Sequence, residues 1–315
     1  MSRKTAILFL SLLALMLFLP FTQAQEKDAE PQNGLEILMK KHGIANSTAQ
    51  VTPTICALCG LTPPETSQMP PLESVLKFWN ELRGADPDAV VEKVLIFCPD
   101  ATGDFLVPHY PDDWKPLFEK TDVRVKGTNV LPSVTPVCFG TIFTGAPPET
   151  HGIRKYSDKY APDPIKVKTL FDVFAAAGKK VVIVAQKGCS IDMIFRNRPI
   201  DYVSTKSSKE SVEVTKKFLR ESDYDLILCY DGNYDSVMHG NGVHHPKSIA
   251  AMRDSIRWYL ELSEAADEAW SGKNRLTAFT PDHGAHDNSK GKGTHGSDRA
   301  DDTIVNHFYR LRMGK

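Results

Sequence analysis

The stretch Val91-Glu92-Lys93-Val94-Leu95-Ile96-Phe97-Cys98-Pro99-Asp100 decides how the rest of the chain is read. Val91–Cys98 is largely apolar, rich in β-branched residues, and ends at Pro99-Asp100, so it reads as a buried strand rather than the alternating strand of a half-exposed sheet. Lys180–Ala185, Asp225–Tyr230 and Arg275–Thr280 have the same character. Helical patterns separate them: Leu72–Leu82 before the first strand, then Lys166–Ala177 closed by Gly178, Ser208–Arg220, and the long Ser248–Ala269. Strand and helix in alternation predict an α/β fold, a three-layer α/β/α arrangement with a mostly parallel central sheet.

In such sheets ligands gather just beyond the carboxyl ends of the strands. Asp100 follows Val91–Cys98, Asp235 and His239 follow Asp225–Tyr230, and Asp282 and His283 follow Arg275–Thr280, which puts all three clusters at one sheet edge. Asp235 and His239 share a face if they lie on one helical turn, and an irregular loop serves as well. His295 stands in the loop Gly293-Thr294-His295-Gly296, where flanking glycines let it approach without steric conflict. His and carboxylate ligands suit zinc, and two divalent ions held close together can clamp the attacking and leaving oxygens of a phosphoryl transfer. A mixed nitrogen and oxygen donor set also admits manganese or another divalent ion.

The candidate nucleophile is Thr135, in Ser133-Val134-Thr135-Pro136-Val137-Cys138-Phe139-Gly140. Threonine followed by proline and an apolar run reads as a helix N-cap with proline at the first helical position, and a cap alone needs no chemistry. A helix N-terminus also presents free N–H groups and a positive dipole end to an anion. A free threonine hydroxyl attacks poorly near neutral pH, and a bound metal makes it competent.

With these residues in this order, the chain resembles the alkaline phosphatase superfamily, particularly its type I phosphodiesterase/nucleotide pyrophosphatase-like branch and a bacterial subgroup of it. The resemblance runs from roughly Glu92 to Tyr309 and rests on Leu95–Asp100, Asp235–His239, Pro281–Gly284, Thr294–Gly296 and, most specifically, Thr135–Ile153. In that family the nucleophile lies nine residues before the threonine of a Thr-Gly pair; Thr135 stands in that relation to Thr144-Gly145. The resemblance implies one metal on Asp235, His239 and His295, and another on Asp100, Asp282, His283 and the Thr135 oxygen. It implies a hydrolase of phosphoric esters, acting on a small phosphorylated or nucleotide-like substrate through a phosphorylated Thr135. The chain departs from the branch at Tyr156, where an asparagine is expected five residues after His151. Arg154 or Lys155 beside it could neutralise a phosphate and favour a dianionic monoester, or could belong to a solvated basic loop. His151 reads as structural, and His244, His245 and His286 flank the proposed ligands, with His244 a candidate for substrate contact.

Other functions fit less well. A sulfatase needs a Cys-x-Pro-x-Arg-like context, and Cys138 lacks the Pro and Arg. A mutase of the same superfamily usually carries an inserted domain for which there is little room. A catalytically silent metal- or ligand-binding protein of the same fold would be expected to have lost one of the seven positions, and all are present. The net charge is −1 over 315 residues, with no basic stripe, which argues against a nucleic-acid polymer as partner.

Residues 1–24 read as a cleaved signal peptide: Arg3 and Lys4, an uncharged apolar run from Ala6 to Phe21, and Thr22-Gln23-Ala24 before a polar stretch. That run is short for a membrane span, so periplasmic or secreted localisation is expected, with no stable insertion after cleavage. Residues 25–70, with a helical candidate at Leu35–Lys41, read as a linker or extension that packs on the catalytic domain, 71–315. Cys56 and Cys59 lack the second pair of a zinc knuckle and read as a local disulfide or two buried thiols. Nothing in the sequence fixes an oligomeric state.

Overall fold

A computed structural model describes residues 34–315, and these fall in one unit. The expected signal peptide, Met1–Ala24, lies outside the described residues. No helix among those described is long and apolar enough to cross a membrane.

Seven strands form the main sheet in the order β2-β9-β6-β1-β5-β3-β4: β1 (Lys93–Pro99), β2 (Val123–Thr128), β3 (Val181–Gln186), β4 (Asp201–Thr205), β5 (Leu226–Asp231), β6 (Arg275–Phe279) and β9 (Ile304–Arg312). The short β7 (His286–Asp287) and β8 (Gly293–Thr294) pair as a separate ribbon. β1 lies at the centre, parallel to β5 and β6, and β9 runs antiparallel between β6 and β2. Burial on both faces makes β1 continuously apolar. Val94, Ile96 and Cys98 join one core layer with the helices Val51–Leu58, Glu73–Arg83, Thr135–Thr144 and Leu170–Ala176. Leu95 and Phe97 join the other, under Pro111–Lys120, Ser208–Glu221 and Pro246–Ala269. This is the expected three-layer, mostly parallel architecture.

The four expected strands and the expected helices are found within a few residues, except that the helix expected from Lys166 begins at Leu170. There Thr169 caps it, its hydroxyl accepting from Asp172 N while the Asp172 carboxylate accepts from Thr169 N. Three strands of the main sheet were not anticipated: the edge strands β2 and β4, which are partly exposed and carry no continuous apolar run, and β9. Asn306 and His307 interrupt its apolar pattern, but both are buried and satisfied: Asn306 donates to Asp104 Oδ1 at 2.6 Å, and His307 Nε2 donates to the Pro281 carbonyl at 2.8 Å.

The described part of 25–70 is no flexible spacer. Val51, Ile55, Cys56 and Leu58 are buried in the main core. Thr52 Oγ1 donates to the Ile142 carbonyl at 2.7 Å, Ser67 Oγ to Thr144 O at 2.9 Å, and Gln68 N to Gly145 O at 3.1 Å. The last carbonyls of a helix lack partners within it; this segment supplies them for the helix that begins at Thr135. Cys56 and Cys59 are free, buried thiols, each pushed up to about 12 by burial.

Candidate active site

The carboxyl ends of β1, β5 and β6 meet through backbone pairing: Asp100 N donates to Asp231 O at 2.8 Å, and Thr280 N to Phe97 O at 2.9 Å. Just past them stand two groups of side chains able to hold a metal ion, Asp235 with His239 and His295, and Asp100 with Asp282 and His283. Asp235 and His239 lie on the helix Asn233–Asn241, one turn apart, so their side chains share a face.

In each group the histidines are held by the nitrogen that faces away. Nδ1 of His239, His283 and His295 donates to the carbonyls of Gly293, Gly284 and Ser133, each at 2.9 Å. That fixes the tautomer and turns the Nε2 lone pairs inward, the usual anchoring of metal-ligating imidazoles. Nε2 of His239 and His295 stand 3.1 and 3.4 Å from Asp235 Oδ1, and Nε2 of His283 stands 3.3 Å from Asp282 Oδ2 and 3.4 Å from Asp100 Oδ1. Asp235 Oδ1 and Asp282 Oδ2 are nevertheless buried oxygens with no aligned hydrogen-bond donor among the described residues. Lone pairs and carboxylate oxygens converging without donors fit a cation between them.

The electrostatics carry the same message. Burial raises Asp100 to about 7, with Asp235 adding to the shift. Asp282 is pushed well up by burial and then by Asp100. Burial would raise Asp235 too, but His239 and His295 outweigh it and hold it below the usual carboxylate range. Where no cation lies between them, the hydrogen bond to Asp235 raises His239 to about 9, so that a proton on Nε2 stands where a cation would otherwise compensate the carboxylate. Asp100 and Asp282, both fully buried, and the partly buried Asp235 beside them require compensating positive charge, supplied by protons or by metal ions.

Thr135 is the first residue of the helix Thr135–Thr144, and its side chain makes no capping bond. Its Oγ1 donates instead to Asp100 Oδ2 at 3.2 Å and lies 3.3 Å from His283 Nε2. The hydroxyl expected at a helix cap is therefore directed into the ligand cluster, 5% exposed. Tyr230, at the end of β5, donates to Asp100 Oδ2 at 2.5 Å and stacks edge-on against Phe139 of the Thr135 helix.

A cleft of about 420 Å³ opens over Thr135, lined also by Tyr156, Lys159, Gln186, Ser190 and Tyr230. A larger apolar groove beside Pro70, Pro71 and Leu76 contains none of these groups. Of the four substrate-contact candidates, Tyr156 lines the cleft and the others do not. Arg154 and Lys155 are exposed; their backbone amides donate to Asp158 Oδ2 at 2.8 and 3.1 Å, and the Arg154 guanidinium turns back to Glu149 O. His244 packs instead in a cluster with Phe105, His109 and Tyr110. His245 caps the helix Pro246–Ala269, and His286 donates to the buried Asp302. Lys159, one turn beyond Tyr156, was overlooked because nothing local marks one lysine of this loop as buried. Cys138 is wholly buried inside the Thr135 helix, away from the cleft.

His151 is structural, as its sequence context indicated. It is buried, its Nε2 lies 3.1 Å from Thr141 Oγ1, and its Nδ1 accepts from Ile153 N at 3.2 Å. Gly140 makes room for it: a Cβ there would come within 2.7 Å of the ring.

A mostly parallel sheet with acidic and imidazole clusters beyond its carboxyl edge and a threonine facing them defines a protein of the alkaline phosphatase-like class. The chain belongs to the type I phosphodiesterase/nucleotide pyrophosphatase family, whose model matches residues 117–312, more than half of its length. Among curated proteins none matches it. Solved structures similar to it include an inactive variant of murine ectonucleotide pyrophosphatase/phosphodiesterase 5 in complex with AMP, at 18% identity and TM-score 0.50, covering 63% of this chain and 59% of that one. Phosphonoacetate hydrolase from Sinorhizobium meliloti 1021, in complex with phosphonoformate, is another, at 21% identity and TM-score 0.45, covering 62% and 57%. The chain thus spans less than two thirds of the length of either structure.

Proposed function

We propose that this protein is an exported hydrolase of small phosphoric esters, with Thr135 as nucleophile and two divalent ions, zinc or manganese, as cofactors. The observation that carries the reading is the direction of the Thr135 hydroxyl, away from a cap and toward Asp100 and His283. Asp235, His239 and His295 would hold one ion; Asp100, Asp282 and His283, with the Thr135 oxygen, would hold the other. When bound, the ions supply Lewis acidity, lowering the pKa of the threonine hydroxyl and neutralising phosphoryl charge.

The chain's own residues supply position. The helix Thr135–Thr144 is fixed at its far end by Thr52 and Ser67, so Thr135 is presented on a rigid element. The Thr135 Oγ–P bond forms as the ester P–O bond breaks, and the leaving oxygen departs with the bonding pair. The threonine proton has Asp100 Oδ2 within reach, 3.2 Å away. Water then cleaves the phosphothreonine, returning the hydroxyl and releasing phosphate or a phosphoric monoester.

The test is hydrolysis of a nitrophenyl phosphate monoester and the matching phosphodiester by metal-loaded protein, with Thr135→Ala alongside. A signal lost in Thr135→Ala and in chelator, and restored by zinc or manganese, supports the reading. Equal activity in Thr135→Ala would remove Thr135 as the nucleophile, and bound metal without hydrolysis of either ester would favour a binding role.

A further inference from the structure

Resting on the hydrolase reading, we infer that the cleft is built for a phosphoric monoester, and that Lys159 is the residue that selects it. Of the side chains lining the cleft, Lys159 is the one lysine, and no arginine joins it. The residue is 4% exposed, although it comes from the surface loop that forms the short helix Tyr156–Tyr160. Its ammonium donates to Tyr156 Oη at 2.6 Å and to Ser190 Oγ at 3.5 Å. It also lies 3.8 Å from the centre of the Tyr156 ring. All of these partners are neutral, and no carboxylate among the described residues forms an ion pair with it.

An ammonium withdrawn from water costs free energy unless an anion compensates it. The carboxylates lining the cleft are Asp100 and Asp235, both assigned above to the metal groups. Lys159 therefore remains as a preformed positive charge in the same cleft, beside Tyr156 and Ser190, and the anion it lacks is the substrate. Monoesters and diesters differ in what they offer it. A monoester carries three unesterified phosphoryl oxygens and two negative charges near neutral pH, so it offers Lys159 one more anionic oxygen than a diester does. A diester carries one charge and presents an alkoxy group in place of that third oxygen. Tyr156 fits the same account. Its hydroxyl and ring hold the ammonium in place at the position where the family pattern expects an asparagine, so it acts on substrate through Lys159.

The experiment compares kcat/KM for a nitrophenyl phosphate monoester and the matching diester in metal-loaded wild type, Lys159→Met and Lys159→Arg. Inorganic phosphate binding to the same proteins is measured by calorimetry. Loss of a charged hydrogen bond predicts a fall of about 10- to 100-fold in the monoester-to-diester ratio for Lys159→Met, with a similar loss of phosphate affinity and partial recovery in Lys159→Arg. Tyr156→Phe, which keeps the ring and removes the acceptor, gives a smaller fall in the same direction. A ratio unchanged in Lys159→Met, with phosphate binding intact, overturns the inference while leaving Thr135-dependent hydrolysis standing. If wild type hydrolyses neither ester, the hydrolase reading fails, and phosphate binding still decides whether Lys159 is an anion contact.

Discussion

His151 makes wild-type stability depend on pH in a way that a single substitution can isolate. Its ring is buried against Gly140, and Ile153 N–H donates to Nδ1, so the ring proton sits on Nε2 and the imidazole is neutral. Protonating Nδ1 would place a charge in the core and turn an acceptor into a donor facing a donor. Burial accordingly lowers His151 from 6.5 to about 4, with the Val137 carbonyl offsetting only part of the effect. In the unfolded chain the same histidine takes up a proton as pH falls below about 6.5, so the unfolded state binds more protons and stability falls as pH falls. The contribution is fully present above pH 6.5 and is lost progressively toward pH 4. Two and a half units correspond to about 3 kcal/mol in all, with about 1.5 kcal/mol gone by pH 5.5 and about 2.5 kcal/mol by pH 4.5. Urea unfolding of wild type and His151→Gln, followed by tryptophan fluorescence in chelator from pH 7.5 to 4.5, measures it. The metal-ligand groups titrate in both proteins and cancel in the difference. His151→Gln is less stable at pH 7.5, and its deficit shrinks by about 2.5 kcal/mol by pH 4.5. A deficit constant across that range would refute the claim that His151 is held neutral.

Three further outcomes are expected. Gly293→Ala would put a Cβ 2.1 Å from Met238 Sδ and 2.7 Å from the Met238 carbonyl, so β8 must move off the helix that carries His239; zinc affinity, read by competition with a chelating dye, should fall about 10- to 100-fold, as when the outer support of a ligand is lost. Tyr230→Phe removes the 2.5 Å hydrogen bond to Asp100 and should weaken zinc binding over the same range in the same assay, with the thermal midpoint of the metal-free protein shifted far less. Export through the leader predicts that protein recovered outside the cytoplasm begins at Gln25 by intact mass; a chain still carrying Met1 would exclude cleavage.

The centre of the sheet was legible because buried parallel strands must be apolar throughout, so β1, β3, β5 and β6 announce themselves one by one, whereas the partly exposed edge strands β2 and β4 carry no such run. β9 escaped the same test because it is satisfied by polar partners: Asn306 reaches Asp104, and His307 reaches the Pro281 carbonyl just before Asp282. Six of the seven proposed positions were legible because each follows a strand end or stands in a glycine-rich loop; Thr135 looked like an ordinary helix cap and stood out only by its spacing to Thr144-Gly145 in the family pattern. What brings them to bear was not. No spacing rule connects Thr52 and Ser67 with the far end of the Thr135 helix, or singles out Lys159 from Arg154 and Lys155.

Lys159 shows why the difference matters. The family resemblance pointed to Tyr156 and offered its basic neighbours Arg154 and Lys155 either as phosphate contacts or as a solvated loop. In the fold Asp158 accepts from both of their amides and holds that pair at the surface, while the next turn carries Lys159 inward. A basic loop is an ordinary solvated feature until one of its charges is buried without a counterion. That one residue then carries an unmet electrostatic demand, and on the proposed hydrolase reading the anion that meets it is the phosphoryl group of the substrate.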